Sequence, residues 1–329
     1  MREFPPLDAQ LAAVVAAMRA RGVAPPFSGS APQARARMRD AVLAVRARFG
    51  LPQVRSAEDA IAVHGDVRVP VRVYRPQSNR QPLPTVVFFH GGGFVLGSVE
   101  LMDDIARKLC RDTEAVVVSV DYRLAPEHPF PAAHDDALAA TLWSLTNAAQ
   151  LGGDPARVAV AGESAGGNLA ASSAIRVREL GLALAAQLLI VPGVDFARDT
   201  VQMEHSGREY PMLTPHDLRE VARLYLGASA HSAALFPPSP LRHTDLSGLP
   251  PALVAVAGCD ALCDEGLAYA QRLQQAGVRT RVLRYDDMFH PFFGFFELSQ
   301  AARQANDEIC DGFAALLRSG ADNAQEAWT

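Results

Sequence analysis

Residues Ala161 to Gly167 read AGESAGG and set Ser164 between Gly162 and Gly166, at the junction of an apolar run and a helix-like run. Two readings of that serine are open. Its hydroxyl could cap the helix by accepting an orphan amide hydrogen of the first turn. Alternatively it is a nucleophile, presented on a turn so sharp that a Cβ on either flanking glycine would strike the neighbouring backbone. The spacing alone is a weak signal, since a chain with 24 glycines meets it by chance fairly often. A second stretch, FFHGGGFVLG, shifts the balance: Gly91, Gly92 and Gly93 follow His90 directly after an apolar run. Backbone N–H groups can approach a substrate where no side chain intervenes. Gly91 and Gly92 could therefore aim two donors at an oxyanion, with the Ala165 amide at the helix start as a third. A hydroxyl nucleophile facing an oxyanion site is the equipment of acyl transfer.

Such a hydroxyl needs a base, and the base needs a carboxylate to orient it. Among nine histidines, His290 is distinguished by its place in the turn DDMFHPFF, just after the strand-like RTRVLRY and downstream of the serine. His64, His134, His205, His216, His231 and His243 lie in polar or helical contexts that suit solvated rings, and His90 reads as a support for the glycine loop. For the acid, PALVAVAGCDALCDEG puts Asp260 just beyond a buried strand. Asp264 and Glu265 suit the start of the next helix, where negative charge is favoured. Asp287 is tethered close to His290 and reads as a loop cap. Phe94, Phe292 and Phe293 stand near these motifs and are candidates for lining a substrate pocket.

The elements that must position these groups are legible as periodicity. An alternating pair around AIAVHGDVRVPVRVYRP precedes six short apolar runs, from TVVFFH to RTRVLRY, with helix-like stretches between most of them. This is an α/β chain with a mostly parallel eight-stranded sheet flanked by helices. Two helices precede the sheet, one after Asp8 and one from about Ser30 to Gly50 with Met38, Val42, Val45 and Phe49 on one face. They read as a helical cap. The expected division is cap helices in 1–52, core in 53–195, a second cap segment in 196–240, and core again in 241–329.

Composition narrows the partners. The 329 residues carry a formal net charge of −5 with no long like-charge block, which argues against nucleic acid. No run reaches the 18 or so apolar residues of a membrane span. Four cysteines in a chain this long read as buried thiols of a cytoplasmic protein. No metal or organic cofactor is implied, because there is no HExxH and the Cys259–Cys263 spacing lacks further ligands.

The order Ser164, Asp260, His290 is that of α/β-hydrolases. The chain resembles the hormone-sensitive-lipase-like carboxylesterases in HGGG, SVDYRLAPEHPFPAAHDD, GESAGGNLA, SPL followed by LSGLPPALV, and CDALCDEG, over about Val86 to Phe293. The resemblance implies an esterase acting on small-molecule, short- to medium-chain acyl esters beneath a cap. Carried onto matching positions it implies Ser164 as nucleophile, His290 as base, Asp260 as acid, and Gly91, Gly92 and Ala165 as oxyanion donors. An amidase or lactonase would use the same set. A plant-type receptor on this scaffold lacks the histidine that is present here. Glu163 stands where that family usually has Asp, Ala261 and Cys263 replace the usual Pro and Arg, and Pro291 replaces Gly after the histidine. Asp121, Tyr122, Arg123 and Glu127 of the proline-rich motif read as a rigid buried turn with internally paired charges. The last strand, near a sheet edge, could pair with a second copy.

Overall fold

The computed structural model describes residues 6–205 and 210–319. Eight strands form one sheet: β1 (Ser56–His64), β2 (Val67–Arg75), β3 (Leu83–Phe89), β4 (Val116–Val120), β5 (Gly153–Glu163), β6 (Gln187–Ile190), β7 (Ala252–Cys259) and β8 (Thr280–Phe289), in the order β1-β2-β4-β3-β5-β6-β7-β8. β1, β2 and β4 pair antiparallel, and β4, β3, β5, β6, β7 and β8 run parallel. Because side chains alternate along a strand, each central strand feeds two cores. Val87, Phe89, Val118, Val160 and Val254 face one layer, and Val86, Phe88, Val117, Ala159 and Leu253 face the other. The first layer is closed by α4 (Ala132–Asn147), α5 (Ala165–Glu179) and α8 (Cys263–Gln275), and the second by α3 (Asp103–Thr113) and α9 (Gln300–Ser319).

Of the preceding helices, α1 (Ala9–Ala20) is capped by Asp8, whose carboxylate accepts from the N–H of Gln10 and Leu11, and α2 (Ala31–Phe49) ends on Gly50 at φ 77°. α1 docks through Leu11 and Val15 into the α3/α9 layer. The apolar stripe expected to seat α2 does so only in part: Met38 packs half-buried against both core layers, whereas Val42 and Val45 are half-buried and Phe49 is 37% exposed. Arginines also fasten this helix. Arg35 donates to the carbonyls of Val95 and Ala125 and pairs with Glu127, and Arg46 donates to the Glu100 carbonyl. A period-3.6 count of apolar residues misses this, because the guanidinium finds carbonyls rather than hydrocarbon.

Between β6 and β7 the chain leaves the sheet and forms α6 (Thr200–His205) and α7 (Pro215–Leu226), the latter capped by Thr214. His205 closes α6, and its side chain lies outside the described residues. A Cβ on Gly93 would touch Phe27, from the α1–α2 connection, and Val221 of α7. The N-terminal segment and this excursion therefore meet above the glycine loop.

Candidate active site

β5 ends at Glu163 and α5 begins at Ala165, so Ser164 occupies a one-residue corner at φ 58°, ψ −117°. A left-handed φ on a non-glycine residue is strained and persists only where its surroundings impose it. The neighbouring glycines permit the corner: a Cβ on Gly162 would overlap the Gly166 backbone, and one on Gly166 would overlap the carbonyl of Phe89. The Ser164 hydroxyl makes no cap bond within α5. It meets His290 Nε2 at 2.8 Å, and His290 Nδ1 meets Asp260 Oδ2 at 2.9 Å. Asp260 Oδ1 accepts from the Leu262 N–H, which fixes the carboxylate. The three side chains stand beyond the C-terminal ends of β5, β7 and β8, at one edge of the sheet.

All three are buried. Burial disfavours a charged His290, but the charge and hydrogen bond of Asp260, with Glu163 and Glu265 adding, outweigh it and raise the imidazole above its ordinary 6.5. Asp264 is exposed in the first turn of α8, as its expected place at a helix start requires, and Glu265 of the same turn accepts from the N–H of Val194 and Asp195 and pairs with Arg198. Asp287 offers its backbone carbonyl to the N–H of Asp8.

Gly91 lies against the serine, since a Cβ there would come 3.6 Å from Ser164 Cβ. Among the described residues, none of the N–H groups of Gly91, Gly92 and Ala165 donates to a protein acceptor. His90 Nδ1 contacts the Gly91 carbonyl at 2.8 Å, and its ring stacks on Tyr122, whose hydroxyl donates to the His90 carbonyl. Carbonyl and following N–H point oppositely across a trans peptide, so holding the Gly91 carbonyl on His90 turns the Gly92 N–H the other way. His90 thus supports the loop.

Several positions differ from expectation. Phe292 and Phe293 are fully buried in the α3/α9 layer and present no surface to a pocket. Phe94 is buried among Tyr225, Phe196 and His134. His134 is not solvated: it is 2% exposed and bonded to Tyr225 and Asn168. Helical context misled there, because α4 lies against α5 and turns that position inward. The charges of the proline-rich motif pair only in part within it, Arg123 with Asp136 at its end and Glu127 outward with Arg35 of α2, and Arg123 and Glu127 are half-exposed rather than buried. Glu163 is fully buried with Oε1 lacking any partner among the described residues, and burial pushes its carboxyl up to about 8, with Asp104 and Asp260 adding and His290 opposing. Asp104, raised by burial in turn, was not singled out by any motif.

A model of the alpha/beta hydrolase fold family matches residues 86–294. The chain belongs to this family. The hydrolase is 40% identical to the carboxylesterase NlhH of Mycobacterium tuberculosis over 272 residues, covering 82% of this chain and 84% of that one. It is 34% identical to the ethyl acetate hydrolase of Pseudomonas putida, covering 88% and 91%. Among solved structures it is similar to a hyperthermophilic esterase from Pyrobaculum calidifontis, with TM-score 0.87 and 38% identity over 95% of this chain and 99% of that one. The kinship with hormone-sensitive-lipase-like carboxylesterases therefore holds, and the hydrolase is an esterase. Among the described residues no helix is long and apolar enough to cross a membrane.

Proposed function

We propose that this esterase cleaves short- to medium-chain carboxylic esters by two-step acyl transfer at Ser164. The observation that carries the reading is the unbroken line from Ser164 Oγ through His290 to Asp260, with Gly91 set against the serine. Neutral His290 takes the hydroxyl proton as Oγ attacks the ester carbonyl, while the N–H groups of Gly91, Gly92 and Ala165 receive the oxyanion. Asp260 fixes the imidazole and stabilises its protonated form. The imidazolium then protonates the departing alkoxide, leaving an acyl-serine, and water repeats the sequence to release the acid and restore Ser164. Residues 1–52 and 196–240 serve as the cap, a role that the meeting of Phe27 and Val221 over Gly93 supports. A preference for short acyl chains is supported by the 34% identity to an ethyl acetate hydrolase.

Rates on nitrophenyl acetate, butyrate, octanoate and palmitate test both parts. Ser164→Ala should abolish turnover; equal rates for the two proteins would sink the assignment, and a maximum at palmitate would sink the chain-length preference. Self-association through β8, the terminal strand of the sheet, completes the reading. Sedimentation showing monomer alone would remove it. A cytoplasmic location is favoured by four thiols outside any disulfide, Cys110, Cys263 and Cys310 buried and Cys259 half-buried, and is checked by cell fractionation.

A further inference from the structure

The hydroxyl of Tyr225, on α7, lies 2.6 Å from His134 Nδ1, and His134 Nε2 lies 3.0 Å from Asn168 Oδ1. Asn168 Nδ2 in turn donates to the carbonyls of Gly193 and Pro238. These bonds admit one proton arrangement. The two carbonyls can only accept, so they fix the Asn168 amide, whose oxygen must then receive the Nε2 proton of His134. Nδ1 is left as an acceptor, and the Tyr225 O–H donates to it. Tyr225, His134 and Asn168 are all essentially inaccessible, and burial lowers His134 to about 3, so the imidazole stays neutral across the working range. This buried chain fixes the tyrosine ring relative to α5, the helix that Ser164 precedes.

The same ring lies flat on Phe94, with centroids 4.0 Å apart and planes 7° from parallel. Phe94 belongs to the glycine loop and closes a run of three residues at positive φ: Gly92 at 121°, Gly93 at 61° and Phe94 at 61°. Two glycines adopt such angles freely, but a phenylalanine does so only when held. From the core the loop is held at the Gly91 carbonyl by His90 and at the Phe94 carbonyl by the Ala125 N–H. The Phe94 ring is stacked on the excursion between β6 and β7 through Tyr225.

We propose that Tyr225 is a positioning residue for the oxyanion site: its ring, fixed through His134 and Asn168 to the nucleophile's helix, clamps Phe94 and so sets the Gly91 and Gly92 amides relative to Ser164. Seating of α7 and assembly of the oxyanion donors are then one event. This inference rests on the oxyanion role given above to those amides.

The test compares Tyr225→Leu, Tyr225→Phe and Phe94→Gly with wild type on nitrophenyl butyrate, together with inhibition by a trifluoromethyl ketone that forms a tetrahedral oxyanion on serine. Displaced donors lower kcat, so Tyr225→Leu should lose about tenfold to hundredfold in kcat with KM within about twofold. Its ketone affinity should weaken by the same factor as kcat/KM. Tyr225→Phe keeps the ring but cuts its bond to His134, so its kcat should fall between those of wild type and Tyr225→Leu. If Tyr225→Leu does not fold, Phe94→Gly is read in its place, because glycine accepts the same backbone angles without the ring. Wild-type kcat and ketone affinity in the folded variant would overturn the inference, as would a loss confined to KM, or a Tyr225→Phe protein indistinguishable from wild type. Failure of the active-site assignment itself would show separately, as turnover surviving in Ser164→Ala.

Discussion

Glutamine in place of Glu163 should stabilise the protein, by an amount that grows with pH. In the folded protein burial raises the Glu163 carboxyl from its ordinary 4.5 to about 8, and its Oε1 has no partner. An unfolded chain releases that proton first, so native stability falls as pH rises through the interval between the two values. Each unit of that interval is worth about 1.4 kcal/mol. The penalty is therefore about 1 kcal/mol at pH 5, about 3 kcal/mol at pH 7, and approaches about 5 kcal/mol at pH 9. Glutamine has the same shape, cannot ionise, and meets the same unpartnered surroundings, so the variant removes only the pH-dependent part. Urea unfolding of both proteins at pH 5, 7 and 9 measures it, together with the smaller change in the groups coupled to Glu163, chiefly His290. A stability difference that stays constant across the three pH values would refute the reasoning and show that Glu163 is ionised, and partnered, in the folded protein.

Because the Asp260 pair raises His290 above 6.5, kcat/KM should fall on the acid side with a midpoint above that value, and a midpoint below it would contradict the pairing. Asp260→Asn should lower kcat by about four orders of magnitude through the wrong imidazole tautomer, whereas Asp264→Asn, exposed on α8, should stay near wild type; a larger loss at Asp264 would reverse the assignment. Lys108, 3% exposed, joins Asp112 of α3 to Asp307 of α9 at 2.6 and 2.5 Å, so Lys108→Met should cost about 1–3 kcal/mol in urea unfolding, and an unchanged midpoint would show the bridge to be idle.

The sheet was legible because β-branched residues concentrate in short runs and the helices between them announce themselves by caps and period. The site was legible because acyl transfer constrains residue types that are rare in combination: a serine between two glycines, a triple glycine, and an acid and a histidine just beyond strands. What stayed hidden depends on partners distant in sequence. Nothing near Arg35 or Arg46 signals that they seat α2 on backbone carbonyls. His134 looks like any polar residue on a helix until α5 and α7 close over it. Phe292 and Phe293 stand beside His290 in sequence, yet the chain turns after it and sends both rings to the α3/α9 layer.

The bridge between α3 and α9 has a practical corollary. Lys108 is the chain's one lysine, and folding encloses its amine between two carboxylates and beside the Phe296 ring. An acylating dye thus finds no side-chain amine on the native surface, and its uptake at this residue reports the parting of two helices. The protein's one lysine is thus a chemical clock for local opening, readable by the mass of the peptide that carries it without any engineered label.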